Sequence, residues 1–301
     1  MKEQLDDGVQ VMTENKVVQS QGLGIGTKLA IISIIISMLA VSAAALLSGY
    51  SSTEALKRAA FERLTAVREL KAQQIENYFS KVRREMGFVS QDVALKGALQ
   101  ELQRGLVYLQ TLGDLVSPES QGKLLKFYRE DFLQQYEASV GSRVDDQFVE
   151  SLLPKDFLTL FLQDRYITKP RTGNDVKFEK FFGSAFSAVD RPLREFKERF
   201  GFYDVFLIEP DGGRIVYSVV REIDFGTRLF DGPHSDTNLA RAVASAMAAR
   251  PRQAIIADFE PSVPSFGAPA AFAALPIYDG PNPIGVLAVQ LPLSGINTIM
   301  T

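Results

Sequence analysis

The sequence predicts an α+β protein in which an N-terminal transmembrane helix leads, through a long helical stalk and a helical region, to a five-stranded antiparallel sheet. Three observations predict it: an uncharged apolar run from Leu29 to Thr53, a stretch without glycine or proline from Glu54 to Met86, and alternating apolar strands between turn residues after Gly201. Composition narrows the function. With 33 basic against 36 acidic residues, a net charge of -3 and no dense basic block, the chain lacks the footprint of a nucleic-acid binder. The absence of cysteine excludes disulfides, zinc-thiolate sites, iron–sulfur clusters and cysteine nucleophiles. The single histidine, His234, rules out a multi-histidine metal site and leaves one base for any Ser-His-acid triad. No catalytic residue, metal or cofactor is expected.

Residues 1–27 (MKEQLDDGVQVMTENKVVQSQGLGIGT) are polar, end glycine-rich and carry no sustained periodicity, so they read as a disordered cytoplasmic tail. Residues 28–50 follow as the membrane helix: the stretch Leu29–Leu47 (LAIISIIISMLAVSAAALL) supplies the roughly 20 apolar residues that a ~30 Å hydrocarbon core requires. A cleaved signal peptide is the competing reading, with Ser42–Ala45 as its small-residue site. The long mixed-charge leader and the length of the run favour a retained anchor. Charge does not orient it, because Lys2, Lys16 and Lys28 on one side face Lys57, Arg58, Arg63 and Arg68 on the other. A cytoplasmic N-terminus is chosen because the large folded region then follows the anchor outward. This places the chain in a membrane, in contact with the lipid bilayer, with the large folded region on the far side from the cytoplasm.

Residues 51–200 read as stalk and helical region. From Glu54 to Met86, Leu56, Ala60, Leu64, Val67, Ile75, Tyr78 and Val82 recur at mostly helical spacing, giving one helix of ~50 Å at ~1.5 Å per residue. Its apolar stripe suits either packing on its own domain or a homodimer through the stalk. Further helices are expected over Ala94–Leu112, Gly122–Tyr136 and Pro154–Tyr166, the last with Pro154 in its first turn, and over Val176–Phe200 in two pieces broken near Pro192.

Over 201–295 the periodicity turns to strands. Tyr203–Glu209, the turn Pro210-Asp211-Gly212-Gly213 and Arg214–Val220 read as a hairpin. Leu239–Ala249 reads as a helix, and Ala254–Glu260, Ala270–Tyr278 and Ile284–Leu291 as three more strands. Five strands with a helical crossover between the second and third suit a PAS-like module.

These residues resemble a family. The runs FGFYDVFLIEPDGGRIVYSVVREIDFGTRL (Phe200–Leu229), GPHSDTNLARAV (Gly232–Val243), IADFEPSVPSFGAPAAFAALPIYDG (Ile256–Gly280) and IGVLAVQLPLSGINTIMT (Ile284–Thr301) look like the Cache sensor region of bacterial methyl-accepting chemotaxis receptors. That region is shared by some membrane histidine kinases and nucleotide cyclases. FERLTAVRELKAQQIENYF (Phe61–Phe79) is similar to the helix leaving the first transmembrane segment of such receptors. The resemblance implies a ligand-sensing region of a transmembrane receptor that binds a small molecule. A double Cache receptor would continue into a second module, a second membrane helix, a HAMP linker and an output domain. Residues 296–301 carry none of these and read as the start of a truncated continuation.

In a PAS-like module the ligand would sit between the sheet and the loops and helix covering it, which selects Tyr203, Asp204, Tyr217, Asp224, Thr227, His234, Asp236 and Asp258. Asp204 and Asp224 suit a ligand ammonium or, more plainly, turn capping. Thr227 suits a ligand carboxylate or a local hydroxyl turn. Between Gly232-Pro233 and Ser235-Asp236, His234 reads as an exposed loop histidine. The strand tyrosines Tyr203 and Tyr217 suit a pocket wall or a core edge. Asp258 and Glu260 share a strand face but lack the further ligands of a metal site. The Arg-Trp-Tyr signature of amino-acid-binding Cache modules is absent, since the chain has no tryptophan. An anchored extracytoplasmic enzyme would need His234 beside a hydroxyl, and a tethered scaffold would need no ligand pocket at all.

Overall fold

The computed structural model describes residues 24–111, 117–168, 182–249 and 253–300. The expected tail therefore lies almost wholly outside the described residues. The chain forms two units, Met1–Arg68 and Glu69–Thr301.

The first unit is built on the beginning of α1 (Ile25–Ser90). An 18-residue window of this helix has a mean hydropathy of 2.6 and is entirely unburied, which makes it long and apolar enough to cross a membrane. The anchor and stalk expected as separate segments belong to one unbroken helix.

In the second unit the end of α1 turns inward, burying Val82, Met86 and Ser90. It stops at Asp92, whose Oδ1 accepts from the backbone N–H groups of Ala94 (2.7 Å) and Leu95 (3.0 Å) and so caps α2 (Val93–Thr111). Leu95, Leu99, Leu102, Leu106 and Leu109 form the buried stripe of α2 at helical spacing. Next come α3 (Pro118–Lys126), a π-type turn at Phe127–Phe132 and α4 (Leu133–Val140), which ends on Gly141 at φ 72°. Asp145 and Asp156 cap α5 (Asp146–Leu152) and α6 (Phe157–Gln163). Thus α6 begins after Asp156 and Pro154 lies outside it; the aspartate side chain satisfies an end donor that a first-turn proline only omits. A second π-type turn covers Asp164–Thr168. Pro192 does not break α7 (Ser184–Phe200). Burial of Ala185, Phe186, Val189, Leu193 and Phe196 on one side outweighs the backbone hydrogen bond that the proline removes.

The strands are β1 (Asp204–Ile208), β2 (Ile215–Ser218), β3 (Ile255–Pro261), β4 (Pro269–Asp279) and β5 (Asn282–Leu291), with α8 (Asn238–Ala248) between β2 and β3. They form one antiparallel sheet in the order β2-β1-β5-β4-β3. The register puts Phe206 beside Ser218 and Ala288, and Leu207 beside Tyr217 and Leu287, so the two sets point to opposite faces. α2 packs on β5, α7 on β1, and α8 on β3, β4 and β5. Gly285 lets α2 approach closely, since a Cβ there would stand 2.7 Å from the Leu99 side chain and 2.8 Å from the Ile208 carbonyl.

The apolar interior divides into two clusters. One joins the sheet to α2, α6, α7 and α8; the other gathers Leu124, Tyr128, Phe132, Val149 and Leu152 of the α3–α5 cap around Ile223. After β5, Pro292 leads into α9 (Leu293–Met300). α9 lies against α1: Lys71 Nζ donates to the Ile299 carbonyl, and Gly295 leaves room for Tyr78, whose hydroxyl would stand 3.2 Å from a Cβ there.

Candidate functional site

The connection from β2 to α8 folds back over the end of the sheet and is organised by one carboxylate. Asp204, fully buried, receives the N–H groups of Val205 (2.6 Å), Val219 (2.9 Å) and Val220 (3.1 Å) on Oδ1, and the Ser218 hydroxyl (2.6 Å) on Oδ2. Ser218 Oγ in turn accepts from Arg221 N at 2.7 Å. Burial pushes the Asp204 carboxyl up to about 7, against the opposing pull of Ser218, Val220 and Val205.

Beside it, the Tyr203 hydroxyl and Ser265 Oγ (2.9 Å) donate to the two carboxylate oxygens of Glu222, and Gln290 Nε2 donates to Ser265 Oγ at 3.0 Å. Burial raises both Tyr203 and Glu222. Asp224 is buried at 4 % exposure, and its Oδ1 meets no hydrogen-bond partner among the described residues. Burial raises it well above the carboxylate range, with Glu222 and Asp204 adding to the effect. Thr227 closes a local turn, its hydroxyl donating to the Asp224 carbonyl at 2.7 Å.

The exposed loop position expected for His234 is incorrect. The residue is 2 % exposed, its Nε2 has no partner among the described residues, and burial lowers its pKa to about 4. The turn residues around it do lie nearer the surface, but the loop carries the imidazole inward. Its carbonyl accepts the Thr237 hydroxyl (2.8 Å), so the nearby Thr hydroxyl engages the main chain and not the ring.

Tyr217 belongs to the other sheet face. Its ring meets Phe186 at 4.8 Å, and its hydroxyl donates to Asp190 Oδ1 at 3.2 Å. The same oxygen takes the Arg221 guanidinium at 2.6 Å and Arg194 at 3.3 Å. Arg221 lies over the Phe186 and Tyr166 rings, 5.1 and 5.8 Å from their centroids, and holds φ 64°, a left-handed conformation disfavoured for arginine. The arginines pull Asp190 below the usual carboxylate range although burial pushes it the other way.

Asp236 and Asp258 are exposed, and Asp258 Oδ1 accepts from the next N–H, of Phe259, at 2.7 Å. Tyr203, Asp204, Asp224, Thr227 and His234 thus belong to one folded-back loop and its strand, whereas Tyr217 joins the Asp190 cluster and the two exposed aspartates stand apart. Sequence reading missed Glu222, Ser265 and Gln290. A glutamine inside the apolar run VLAVQL was a usable signal; the other two become partners only through tertiary folding.

At the β1–β2 turn, a cleft of about 210 Å³ is lined by Gln103, Glu209, Asp211, Arg214 and Arg228 among others. Buried Arg214 donates to Asp156 Oδ1 (2.9 Å), Thr159 Oγ1 (3.0 Å) and the Gly226 carbonyl (2.7 Å). Burial pushes Glu209 up to about 7. Among the described residues no group of three or more His, Cys, Asp or Glu is placed to hold a metal ion.

No family model and no curated protein matches the chain. Solved structures do. The sensor domain of the V. cholerae histidine kinase DctB is 16 % identical with a TM-score of 0.32, covering 58 % of each chain. The ligand-binding domain of the Pseudomonas aeruginosa PAO1 amino acid chemoreceptor PctC, in complex with GABA, is 14 % identical with a TM-score of 0.29, covering 61 % of this chain and 68 % of that one. That of the Campylobacter jejuni chemoreceptor Tlp3 with L-valine is 14 % identical with a TM-score of 0.30, covering 69 % and 67 %. The chain thus spans about 58 % of the length of the kinase sensor domain. All three are sensor or ligand-binding domains.

Proposed function

We propose that the chain is the extracytoplasmic ligand-sensing region of a transmembrane signalling receptor of the methyl-accepting chemotaxis type. In this reading residues 28–50 are the membrane helix, 51–200 the stalk and helical region, and 201–295 a PAS-like Cache module, continued by 296–301. The strand order β2-β1-β5-β4-β3 supports the PAS-like assignment. The observation that carries the reading is the join between sheet and stalk. β5 runs through Pro292 into α9, and α9 is bonded to α1 at Lys71 and packed at Tyr78. A ligand that favours one packing of the sheet thereby acts on α1 through its differential affinity for two arrangements. Tyr203, Asp204, Asp224, Thr227 and His234 form the proposed polar side of the ligand region; Tyr217, on the other sheet face, and the exposed Asp236 and Asp258 lie apart from it. The exposed side chains of Leu56, Phe61, Leu64 and Val67 support a homodimer through the stalk.

A membrane-anchored enzyme is disfavoured by the burial of His234, whose Nε2 meets no hydroxyl among the described residues. The test is thermal unfolding of the full chain in detergent micelles against a panel of small carboxylates, amines, amino acids and sugars. At about 100 Kd a true ligand adds about 2.7 kcal/mol. At least one compound is expected to raise the midpoint saturably, and a panel that leaves it unmoved argues for a scaffold.

A further inference from the structure

Asp224 lies where the two apolar clusters meet. Its predecessor Ile223 belongs to the cluster of the α3–α5 cap, and its successor Phe225 to the cluster of the sheet. The main chain on either side is stitched across the same boundary. Tyr128 of the cap donates to the Ile223 carbonyl (3.3 Å) and to Gln163 Oε1 (2.9 Å), while Gln163 Nε2 donates to the carbonyls of Ile223 (2.8 Å) and Phe225 (2.9 Å). Among the described residues three buried side-chain atoms nevertheless meet no hydrogen-bond partner: Asp224 Oδ1, His234 Nε2 and, two residues before Ile223, Arg221 Nε.

We propose that the Ile223–His234 loop is a proton-binding clasp: the cap docks on the sheet with Asp224 protonated and His234 neutral, and loosens when Asp224 ionises. The charged surroundings favour this arrangement. Burial acts most on Asp224, Glu222 on the loop and Asp204 on β1 add to it, its own and the Phe225 backbone N–H groups oppose it, and the buried phenol of Tyr128 faces it from the cap. Arg221 gives a terminal guanidinium nitrogen to Asp190 on α7 while its Nε meets no partner among the described residues, and Gln163 on α6 is neutral. His234 feels burial and, opposing it, the Ile223 backbone; no charged group is resolved as acting on it. An ionised carboxylate stranded in such a place costs far more than a neutral one.

Asp224 is raised, so its contribution to docking is complete below the usual 3.8 and declines as pH rises toward its docked value. His234 is lowered from 6.5 to about 4, so its contribution is complete above 6.5 and declines as pH falls toward 4. Between about 4 and 6.5 the two effects oppose each other. Above 6.5 His234 is neutral in both states, so undocking releases the Asp224 proton and docking weakens as pH rises, by at most about tenfold per unit, until Asp224 ionises in the docked state. The clasp requires no small molecule, so its failure would leave the sensor reading untouched.

The test is hydrogen exchange of the cap amides, Pro118–Leu152, in the full chain in micelles, corrected for intrinsic exchange. Wild type is expected to lose protection as pH rises above 6.5, by at most about tenfold per unit, and to hold it more nearly level from 4.5 to 6.5. Asp224→Asn should abolish the alkaline loss. His234→Gln should remove the acid plateau, so that protection falls with rising pH already below 6.5, and it provides a second readout if Asp224→Asn does not fold. A flat wild-type profile, an Asp224→Asn profile parallel to wild type, or a plateau that survives His234→Gln would overturn the proposal.

Discussion

Asp204→Ala is expected to destabilise the folded protein by about 3 kcal/mol or more at pH 7, and Asp204→Asn by less than about 1 kcal/mol. The alanine variant strands the N–H of Val220 and the hydroxyl of Ser218, and takes from Val219 the closer of its two acceptors. Each buried donor left unsatisfied costs about 1–3 kcal/mol. Asparagine keeps an acceptor oxygen for the backbone donors and presents an amide to Ser218, whose hydroxyl can accept. Burial already pushes Asp204 up to about 7, so its charge contributes little at that pH and the hydrogen bonds contribute most. Denaturant unfolding of the two variants side by side checks this. Equal destabilisation would show that charge, and not hydrogen bonding, holds the loop.

Asp190→Ala is expected to cost about 3 kcal/mol, whereas Arg194→Ala costs less than about 1 kcal/mol. Both arginines reach the same carboxylate, but Arg221 and Asp190 are each 18 % exposed at the side chain and Arg194 is 44 % exposed. Removing Asp190 leaves Arg221 held over aromatic rings without its counter-ion, on a backbone conformation that itself costs about 1–3 kcal/mol. The arginines hold Asp190 below its usual value, so this contribution is present above about 3.8 and is lost as pH falls through the lowered pKa. Urea unfolding at pH 7 and again in acid measures both effects. The gap between Asp190→Ala and wild type should close in acid.

Much of the fold was legible in the sequence because the relevant signals are local. The hairpin, α8 and the last three strands fall within a few residues of their expected bounds, since period-two alternation and the glycine- and asparagine-bearing turns act over a few residues. Helices were harder to bound. Ser117, Asp145 and Asp156 set the starts of α3, α5 and α6 by side-chain capping, and Asp156 displaced the start expected at Pro154. Pro192 was read as a break because local propensity disfavours it, yet burial along α7 overrides that preference.

The candidate site was less legible. Asp204 was visible as a strand aspartate, but its role depends on Val219 and Val220 folding back to meet it. His234 sits in a polar, turn-rich sequence that signals exposure; only the packing of the loop buries its ring. Tyr128 and Gln163 lie on helices far along the chain from Ile223, so neither periodicity nor spacing could have paired them with it.

The claim that sheet and stalk act as one device is tested most directly by the spacing of α9 and α1. Spin labels at Gln74→Cys and Thr298→Cys, both exposed positions, report it in the full chain in micelles. With a compound that raises the unfolding midpoint, the account predicts a shifted distance distribution at saturation. A compound that stabilises the fold yet leaves that distribution unchanged would contradict it.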